Sequence, residues 1–324
     1  MEGRTLQTQP AVSVVVPCYN TTAFIADALD SLNSQTFRDF ETIVVNDGCP
    51  DTANLERVLQ PYMDNVVFLK QENRGLAGAR NTAIRAARAP LIALLDSDDV
   101  WEPNYLEDQV RFLRNRPEVD VVHPNATFIG DSALAGRLFT DLCPAGSDTS
   151  FHTVVSGQCY IFVGVTARKD RVTRNGWFDE SLRAAEDLDL WLRLLHANVR
   201  FAHNARPLVR YRMRQSSLSD DRSALGVATL RVYGKLLKEL TLSPAERSDL
   251  VGAISRVNAE LDLVEAKKAL YRGNYAEASR LFALANRTFQ NGRLRLAALA
   301  LKVWPALLSR YVHRRFPTER EYLH

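Results

Sequence analysis

The chain of 324 residues has few cysteines, little net charge and no long apolar run, and each shortage excludes a class of protein. A membrane-spanning helix needs roughly 18 apolar residues. The nearest stretch, residues 296–308, is interrupted by Lys302 and Pro305, so we predict no transmembrane helix. The first residues contain no apolar segment typical of a secretory signal. We therefore expect a cytoplasmic location, and peripheral contact with the inner face of the membrane stays open.

The 4 cysteines lie far apart, with no Cys-x-x-Cys pair and no histidine at metal-ligand spacing. This pattern argues against a disulfide scaffold or a zinc site and favours a reducing compartment. The formal net charge is only +3, and the basic residues are not concentrated in one globular segment. We therefore expect no nucleic-acid partner.

Short apolar runs alternate with helical patterns through the first half of the chain, which predicts an α/β fold. The alternation indicates a mostly parallel sheet with helices on both faces, whose ligands bind at the carboxyl ends of the strands. The predicted strands are residues 12–16, 42–45, 66–69, 91–95 and 119–122. The predicted helices are residues 23–33, 77–87 and 104–115.

The pattern weakens over residues 124–157, where we predict a large loop-rich region on the acceptor side. Regularity then returns, with predicted helices at residues 168–175 and 186–196 and predicted strands at residues 199–202 and 208–211. From about Ser223 the sequence is typical of helices. We predict an N-terminal tail (1–10), an α/β domain (11–222) and a C-terminal helical region (223–324).

Three carboxylates lie within four residues in the sequence Asp96-Ser97-Asp98-Asp99, directly after a predicted buried strand. Unit charges 4 Å apart repel by roughly 4 kcal/mol at an effective dielectric near 20. Oxygen ligands select a hard cation such as Mn²⁺ or Mg²⁺, and in an extended backbone Asp96 and Asp98 point to the same side. The alternative is an ordinary polar loop in which Asp99 caps a turn.

Other motifs precede and follow this acidic loop in a specific order. Residues 12–20 read Val-Ser-Val-Val-Val-Pro-Cys-Tyr-Asn, and Asp47-Gly48 follows the second predicted strand. Further along come residues 71–81 (Gln-Glu-Asn-Arg-Gly-Leu-Ala-Gly-Ala-Arg-Asn), 186–193 (Glu-Asp-Leu-Asp-Leu-Trp-Leu-Arg) and 211–219 (Tyr-Arg-Met-Arg-Gln-Ser-Ser-Leu-Ser). In order and spacing, residues 11–219 resemble the inverting glycosyltransferases of family 2, which have the Rossmann-like GT-A fold.

The resemblance implies a donor site at the strand ends for a nucleoside diphosphate sugar. Pro17, Tyr19 and Asn20 would lie beside the nucleotide. Asp47 would accept a hydrogen bond from the base N3–H, which favours uridine or thymidine. Arg80 would lie near the diphosphate or the metal-binding carboxylates.

The resemblance also implies the catalytic and acceptor groups. Asp96 would face the ribose or sugar, and Asp98 would bind the Mn²⁺ or Mg²⁺ that bridges the diphosphate. Asp187 would be the catalytic base that activates the acceptor hydroxyl, with Glu186 as its first substitute on the acceptor side. Trp177 and Asp179 would line that side, and the acceptor would be a saccharide or a lipid-linked glycan.

Two positions depart from the family pattern. Asn46 stands where another acid is frequent, which predicts looser base recognition. Arg214 stands where a histidine is frequent; because arginine stays protonated and offers only donors, it cannot ligate the metal. We predict that Arg214 binds the diphosphate, and a surface arginine in a polar loop is the alternative.

Other functions are less consistent with the sequence. A sugar-nucleotide pyrophosphorylase would need a glycine-rich, arginine-containing loop where residues 17–21 stand, and a dehydrogenase would need Gly-x-Gly-x-x-Gly there. A non-catalytic scaffold would use the helical tail as its working surface. One stretch of the tail, residues 269–285, resembles a single tetratricopeptide hairpin, but stacked repeats need about three units. Basic and apolar residues mixed near the C-terminus suggest peripheral membrane contact or a homodimer contact through the C-terminal helices.

Overall fold

A computed structural model describes residues 9–146, 148–214 and 221–305, together with Arg310 and Arg314. The chain divides into two compact units, Met1–Asp220 and Asp221–His324, which we describe separately.

The first unit contains strands and helices in alternation. The strands are β1 (Val12–Cys18), β2 (Phe40–Asp47), β3 (Val66–Gln71), β4 (Leu91–Leu94), β5 (Val100–Trp101), β6 (Val121–Ile129), β7 (Thr166–Arg168) and β8 (Phe201–Arg212). The helices are α1 (Ile25–Asn33), α2 (Thr52–Leu59), α3 (Gly75–Ala86), α4 (Tyr105–Asn115), α5 (Phe151–Val155), α6 (Lys169–Arg174) and α7 (Glu186–His196). Two 3₁₀ turns lie at Gln60–Tyr62 and Phe139–Asp141.

All eight strands form one sheet, in the order β3-β2-β1-β4-β7-β6-β8-β5. The half made of β3, β2, β1 and β4 is parallel, as predicted, and β6 pairs with β8 in parallel as well. The short strand β7 runs antiparallel between β4 and β6, and β5 runs antiparallel to β8. The sheet is therefore mixed rather than uniformly parallel. With 3 residues in β7 and 2 in β5, neither strand is long enough to show a period-two pattern.

Strand β1 shows why both faces of the sheet are covered. All 7 of its residues are buried, and its valines alternate between two apolar clusters. Val12, Val14 and Val16 join residues of α1, α2 and α4 on one face. Val15 joins residues of α3, α6 and α7 on the other. The predicted α/β architecture with helices on both faces is confirmed.

Two local predictions are corrected by the structure. Strand β6 continues to Ile129, so the region predicted to be loop-rich begins several residues later than Pro124. Strand β8 is one strand of 12 residues where the sequence predicted two. The polar stretch that suggested a break is a register shift, in which Pro124 lies opposite Asn204 but Asn125 lies opposite Pro207.

The second unit is helical, as predicted. Its helices are α8 (Arg222–Glu239), α9 (Pro244–Tyr271), α10 (Tyr275–Phe289) and α11 (Gly292–Val303). Side chains at the four N-caps, Asp221, Ser243, Asn274 and Asn291, accept hydrogen bonds from the first-turn amides. Helices α9, α10 and α11 share one apolar cluster. None of the helices within the described residues combines the length and the apolar character that crossing a bilayer requires.

Candidate active site

The acidic loop lies where β4 ends, at the carboxyl edge of the parallel half of the sheet. Ser97 and Asp99 are buried, whereas Asp96 and Asp98 are partly exposed. The Ser97 hydroxyl shares a 2.7 Å hydrogen bond with that of Thr21, which fixes the loop against the end of β1. Asp96 and Asp98 are therefore the two acids of this loop that keep some contact with solvent.

Arg80 of α3 connects this loop to the start of α7. Its guanidinium is almost completely buried and donates from Nη2 to Asp96 Oδ1 and from Nη1 to Glu186 Oε1, both at 2.8 Å. The Phe178 ring lies 5.3 Å from the guanidinium carbon. One cation thus joins carboxylates from two elements that are 90 residues apart in sequence (96 to 186). Burial alone would lower the pKa of Arg80, but the charges of Asp96 and Glu186 outweigh it, so the pKa is raised and the guanidinium stays charged.

Glu186 and Asp187 occupy the first turn of α7, where the helix dipole favours negative charge. Burial raises the pKa of Glu186 to about 7; the neighbouring Asp187 adds to this rise and Arg80 opposes it. Burial also raises the pKa of Asp187, again opposed by Arg80. Asp187 is partly exposed and accepts a hydrogen bond of 2.7 Å from the Leu188 amide. Of the two acids, Asp187 is the one that solvent reaches more easily.

Two arginines at and just after the end of β8 bind the acidic loop through an ion pair and hydrogen bonds. Arg214 Nη2 lies 2.6 Å from Asp98 Oδ2, and Arg212 donates from Nε to the Asp98 carbonyl at 2.8 Å. The Arg212 amide donates to Asp99 Oδ1 at 2.9 Å. Burial raises the pKa of Asp98, the charge on Asp96 raises it further, and Arg214 opposes both.

The ring of Phe24 supports both of these guanidiniums. It lies 5.1 Å from Arg212 and 5.3 Å from Arg214. Arg212 Nη2 also donates to Asp27 Oδ2 at 2.8 Å. Sequence reasoning missed Phe24, Asp27 and Arg212, because these contacts join residues about 185 positions apart, which no local pattern reveals.

Asp47, at the end of β2, organises the loop that leads into α3. Its Oδ1 accepts from Gln71 Nε2 at 2.6 Å and from the Arg74 amide at 2.8 Å. Its Oδ2 accepts from the Gly75 amide at 2.9 Å. Gly75 has a φ of +81°, and an added Cβ there would meet the Arg183 guanidinium. The carboxylate that the family resemblance assigns to base recognition thus also holds the β3–α3 turn in place.

The predicted nucleotide contacts at the end of β1 lie on a tight turn. Pro17 is buried within the strand, whereas Tyr19 is 48% exposed. Asn20 has a left-handed φ of +55°, and its amide lies 3.4 Å from Cys49 Sγ. The turn places the Tyr19 ring and the Asn20 side chain at the same edge of the sheet as the acidic loop.

The segment containing Trp177 and Asp179 is held by side chains that sequence reasoning missed. Asn81 of α3 donates to the Phe178 carbonyl at 2.9 Å and accepts from the Phe178 amide at 3.0 Å, as a paired strand would. Arg193 of α7 donates to the Trp177 carbonyl at 2.7 Å. Asp179 caps its own turn through the Ser181 amide at 2.9 Å.

The carboxylate oxygens of the acidic loop suit a divalent cation. Within the described residues, no three histidine, cysteine or acidic side chains are placed so that they could hold a metal ion by themselves. Asp96 and Asp98, however, are neighbouring carboxylates whose mutual repulsion contributes to the raised pKa of Asp98. Mg²⁺-type ions in phosphate enzymes are held by one or two carboxylates together with substrate oxygens. The residues present therefore fit a hard cation that shares its coordination with a bound diphosphate.

Comparisons with known proteins agree with this arrangement. The model of the family described as "Glycosyl transferase family 2" matches residues 13–142, and that of "Glycosyl transferase family group 2" matches residues 91–223. An uncharacterized glycosyltransferase of Rickettsia typhi is 30% identical over 203 residues, which are 60% of this chain. The match spans 62% of the length of that relative.

Solved structures show the same fold. Staphylococcus aureus TarS 1–349 in complex with UDP-GlcNAc aligns with a TM-score of 0.62 at 18% identity, covering 94% of this chain and 91% of that one. The mannosyltransferase PcManGT from Pyrobaculum calidifontis, in complex with GDP-Man and Mn²⁺, aligns with a TM-score of 0.62 at 19% identity, covering 98% and 86%. These likenesses confirm the GT-A fold. Residues 13–223 are therefore a glycosyltransferase domain of the family 2 type.

Proposed function

We propose that this glycosyltransferase moves a sugar from a nucleoside diphosphate sugar to an acceptor hydroxyl, with inversion at the anomeric carbon. The observation that carries the proposal is the buried Arg80, which holds Asp96 of the acidic loop and Glu186 of α7 at 2.8 Å each. Its guanidinium lies between the two carboxylates. A leaving group at the acidic loop and a base at the start of α7 would therefore lie on different sides of it, as inversion requires.

The donor is a uridine diphosphate sugar in this proposal. Tyr19 and Asn20 would contact the nucleoside beside Pro17, and Asp47 would accept from the base N3–H. A carboxylate oxygen has two lone pairs, so the hydrogen bond that Asp47 Oδ2 accepts from the Gly75 amide leaves one for the base. Because the same carboxylate fixes the β3–α3 turn, its position would be set before the nucleotide arrives.

The diphosphate would lie over the acidic loop, where Asp98, with Asp96 beside it, would hold Mn²⁺ or Mg²⁺. When bound, such an ion would neutralise negative charge on the departing diphosphate. Arg214 would contribute to the same stabilisation, since its fork of donors suits phosphate oxygens. Its buried Nε–H donates to no partner among the described residues, so Asp98 does not use all of its donors.

Asp187 would take the proton from the acceptor hydroxyl. Burial raises its pKa, which makes the carboxylate a better proton acceptor at neutral pH. Glu186 is less suited, because one of its oxygens is held by Arg80 inside the protein. Trp177 and Asp179 would line the acceptor side, and the acceptor would be a saccharide or lipid-linked glycan in polysaccharide or glycoconjugate synthesis.

The proposal can be tested with the full chain, a panel of UDP-sugars and GDP-mannose, and Mn²⁺. Release of nucleoside diphosphate identifies the donor, and proton NMR of the first sugar released into water gives its anomeric configuration before mutarotation. We expect inversion. Asp187→Asn should keep donor binding and lose about 10²- to 10⁴-fold in rate. The matched change Asp170→Asn, at an exposed acid of α6, should have no effect.

A first product with the anomeric configuration of the donor would disprove the inverting mechanism. Near-normal turnover of Asp187→Asn would instead move the catalytic base to another acid, with Glu186 as the next candidate.

A further inference from the structure

Helix α11 exposes a narrow apolar stripe. Its residues Leu296, Leu299 and Val303 are 67%, 48% and 63% exposed, and Trp304, directly after the helix, is 65% exposed. The three helical positions are spaced i, i+3 and i+7, which places them on one side of a helix. The opposite side is used for packing, because Ala298 and Leu301 are buried against α9 and α10. The exposed stripe is thus separate from the face of α11 that packs inside the helical unit.

Basic residues flank this stripe on both sides. With 100° per residue, Arg295 and Lys302 fall on one flank of the Leu296–Leu299–Val303 line and Arg293 falls on the other. All three basic residues are exposed. From Gly292 to Pro317 the sequence contains six arginines and lysines and no aspartate or glutamate. The positive charge around the stripe is therefore not balanced by neighbouring acids in the sequence.

We propose that this face of α11 docks onto an anionic phospholipid surface. A line of leucine, valine and tryptophan side chains between two basic flanks matches a membrane interface, where apolar residues enter the acyl boundary and cations remain among the headgroups. Because this segment has no acidic residues, an anionic membrane is a better partner for it than a second copy of the chain. Two identical α11 faces would bring like charges together, and close like charges oppose association.

The magnitudes support reversible rather than permanent attachment. A lysine or arginine near an anionic surface contributes about 1 kcal/mol, or about fivefold in affinity. Removing Arg295 and Lys302 together should therefore weaken binding to anionic vesicles about 25-fold. Added salt should have a similar effect, because the Debye length falls from about 10 Å at 0.1 M to about 3 Å at 1 M.

The test uses the full chain and extruded vesicles of phosphatidylcholine, with or without 30% phosphatidylglycerol, in a flotation assay. We expect binding only to the anionic vesicles. Arg295→Gln/Lys302→Gln should reduce this binding about 25-fold, and Leu296→Gln/Leu299→Gln/Val303→Gln should abolish it. The matched control Arg231→Gln/Lys238→Gln removes an exposed arginine and lysine with the same spacing from α8 and should bind like the wild type.

Circular dichroism melting shows whether each variant is folded, and light scattering gives the oligomeric state without lipid. Absence of vesicle binding by the wild type would overturn the proposal, as would equal loss in the α8 control. A dimer in solution that dissociates in the triple glutamine variant would assign the stripe to a second copy of the chain instead.

Discussion

The buried Arg80 allows a quantitative test, because Arg80→Met removes the charge and keeps a long apolar side chain. In the wild type, this guanidinium is 1% exposed and bonds to Asp96 and Glu186 at 2.8 Å. Removing one partner of a buried ion pair costs about 3–5 kcal/mol, since the other charge is left uncompensated. For a unit of this size that loss lowers the melting temperature by about 10 °C.

The matched control is Arg85→Met, on the same helix. Its side chain is 49% exposed, lies 3.8 Å from Glu180 and covers the Trp177 ring. An exposed ion pair contributes at most about 1 kcal/mol, so the control should melt near the wild-type temperature.

A second variant separates charge from packing. Arg80→Met/Glu186→Gln removes an uncompensated carboxylate as well, so it should recover part of the stability lost in Arg80→Met. Three of the four tryptophans, Trp101, Trp177 and Trp191, lie in the N-terminal unit, so fluorescence during urea unfolding mainly reports on that unit. If Arg80→Met costs no more than Arg85→Met, or if the double variant is less stable than the single one, the charge argument is wrong.

Three further predictions concern the same site. Because the folded-state pKa of Glu186 is about 7 against a reference of 4.5, its stabilising effect is complete below pH 4.5 and is lost as the pH rises to 7. The free energy of unfolding measured in urea should therefore decrease less between pH 4.5 and 7 in Glu186→Gln than in the wild type. An equal decrease in both proteins would contradict the assignment. Asp98→Ala should abolish Mn²⁺-dependent binding of UDP in calorimetry while the protein stays folded; undiminished binding would move the metal site elsewhere. Arg214→Ala should weaken binding of UDP far more than that of UMP, and an equal loss for both would show that Arg214 does not contact the diphosphate.

The sequence predicted the parallel half of the sheet because each strand there is a continuous apolar run bounded by helices. It predicted the acidic loop because Asp96 and Asp98 follow such a run directly. The antiparallel half of the sheet was harder to predict from the sequence. Strand β7 is too short to show a pattern, and the polar residues around Asn204 indicated a break where the structure has a register shift.

The side chains that support the site were harder to predict than the acids themselves. The pairing of Arg80 with Glu186 depends on α3 and α7 lying on the same face of the sheet, which follows from the topology rather than from spacing. Phe24 was read only as one residue of an apolar helical face. Its contact with Arg212 and Arg214 appears only when the end of β8 is brought over the start of α1.

Consecutive residues of α3 contact different parts of the site. Arg80 holds the acidic loop and the start of α7, and Asn81 holds the backbone of Phe178 beside Trp177. A helix does not stretch between adjacent residues, so these regions keep a fixed separation. The conformational entropy of ordering them is lost once, during folding, and not at each encounter with substrate. A substitution that tilts α3 would therefore move the acidic loop, the start of α7 and the backbone beside Trp177 together, so in the proposed function donor and acceptor binding would change at the same time.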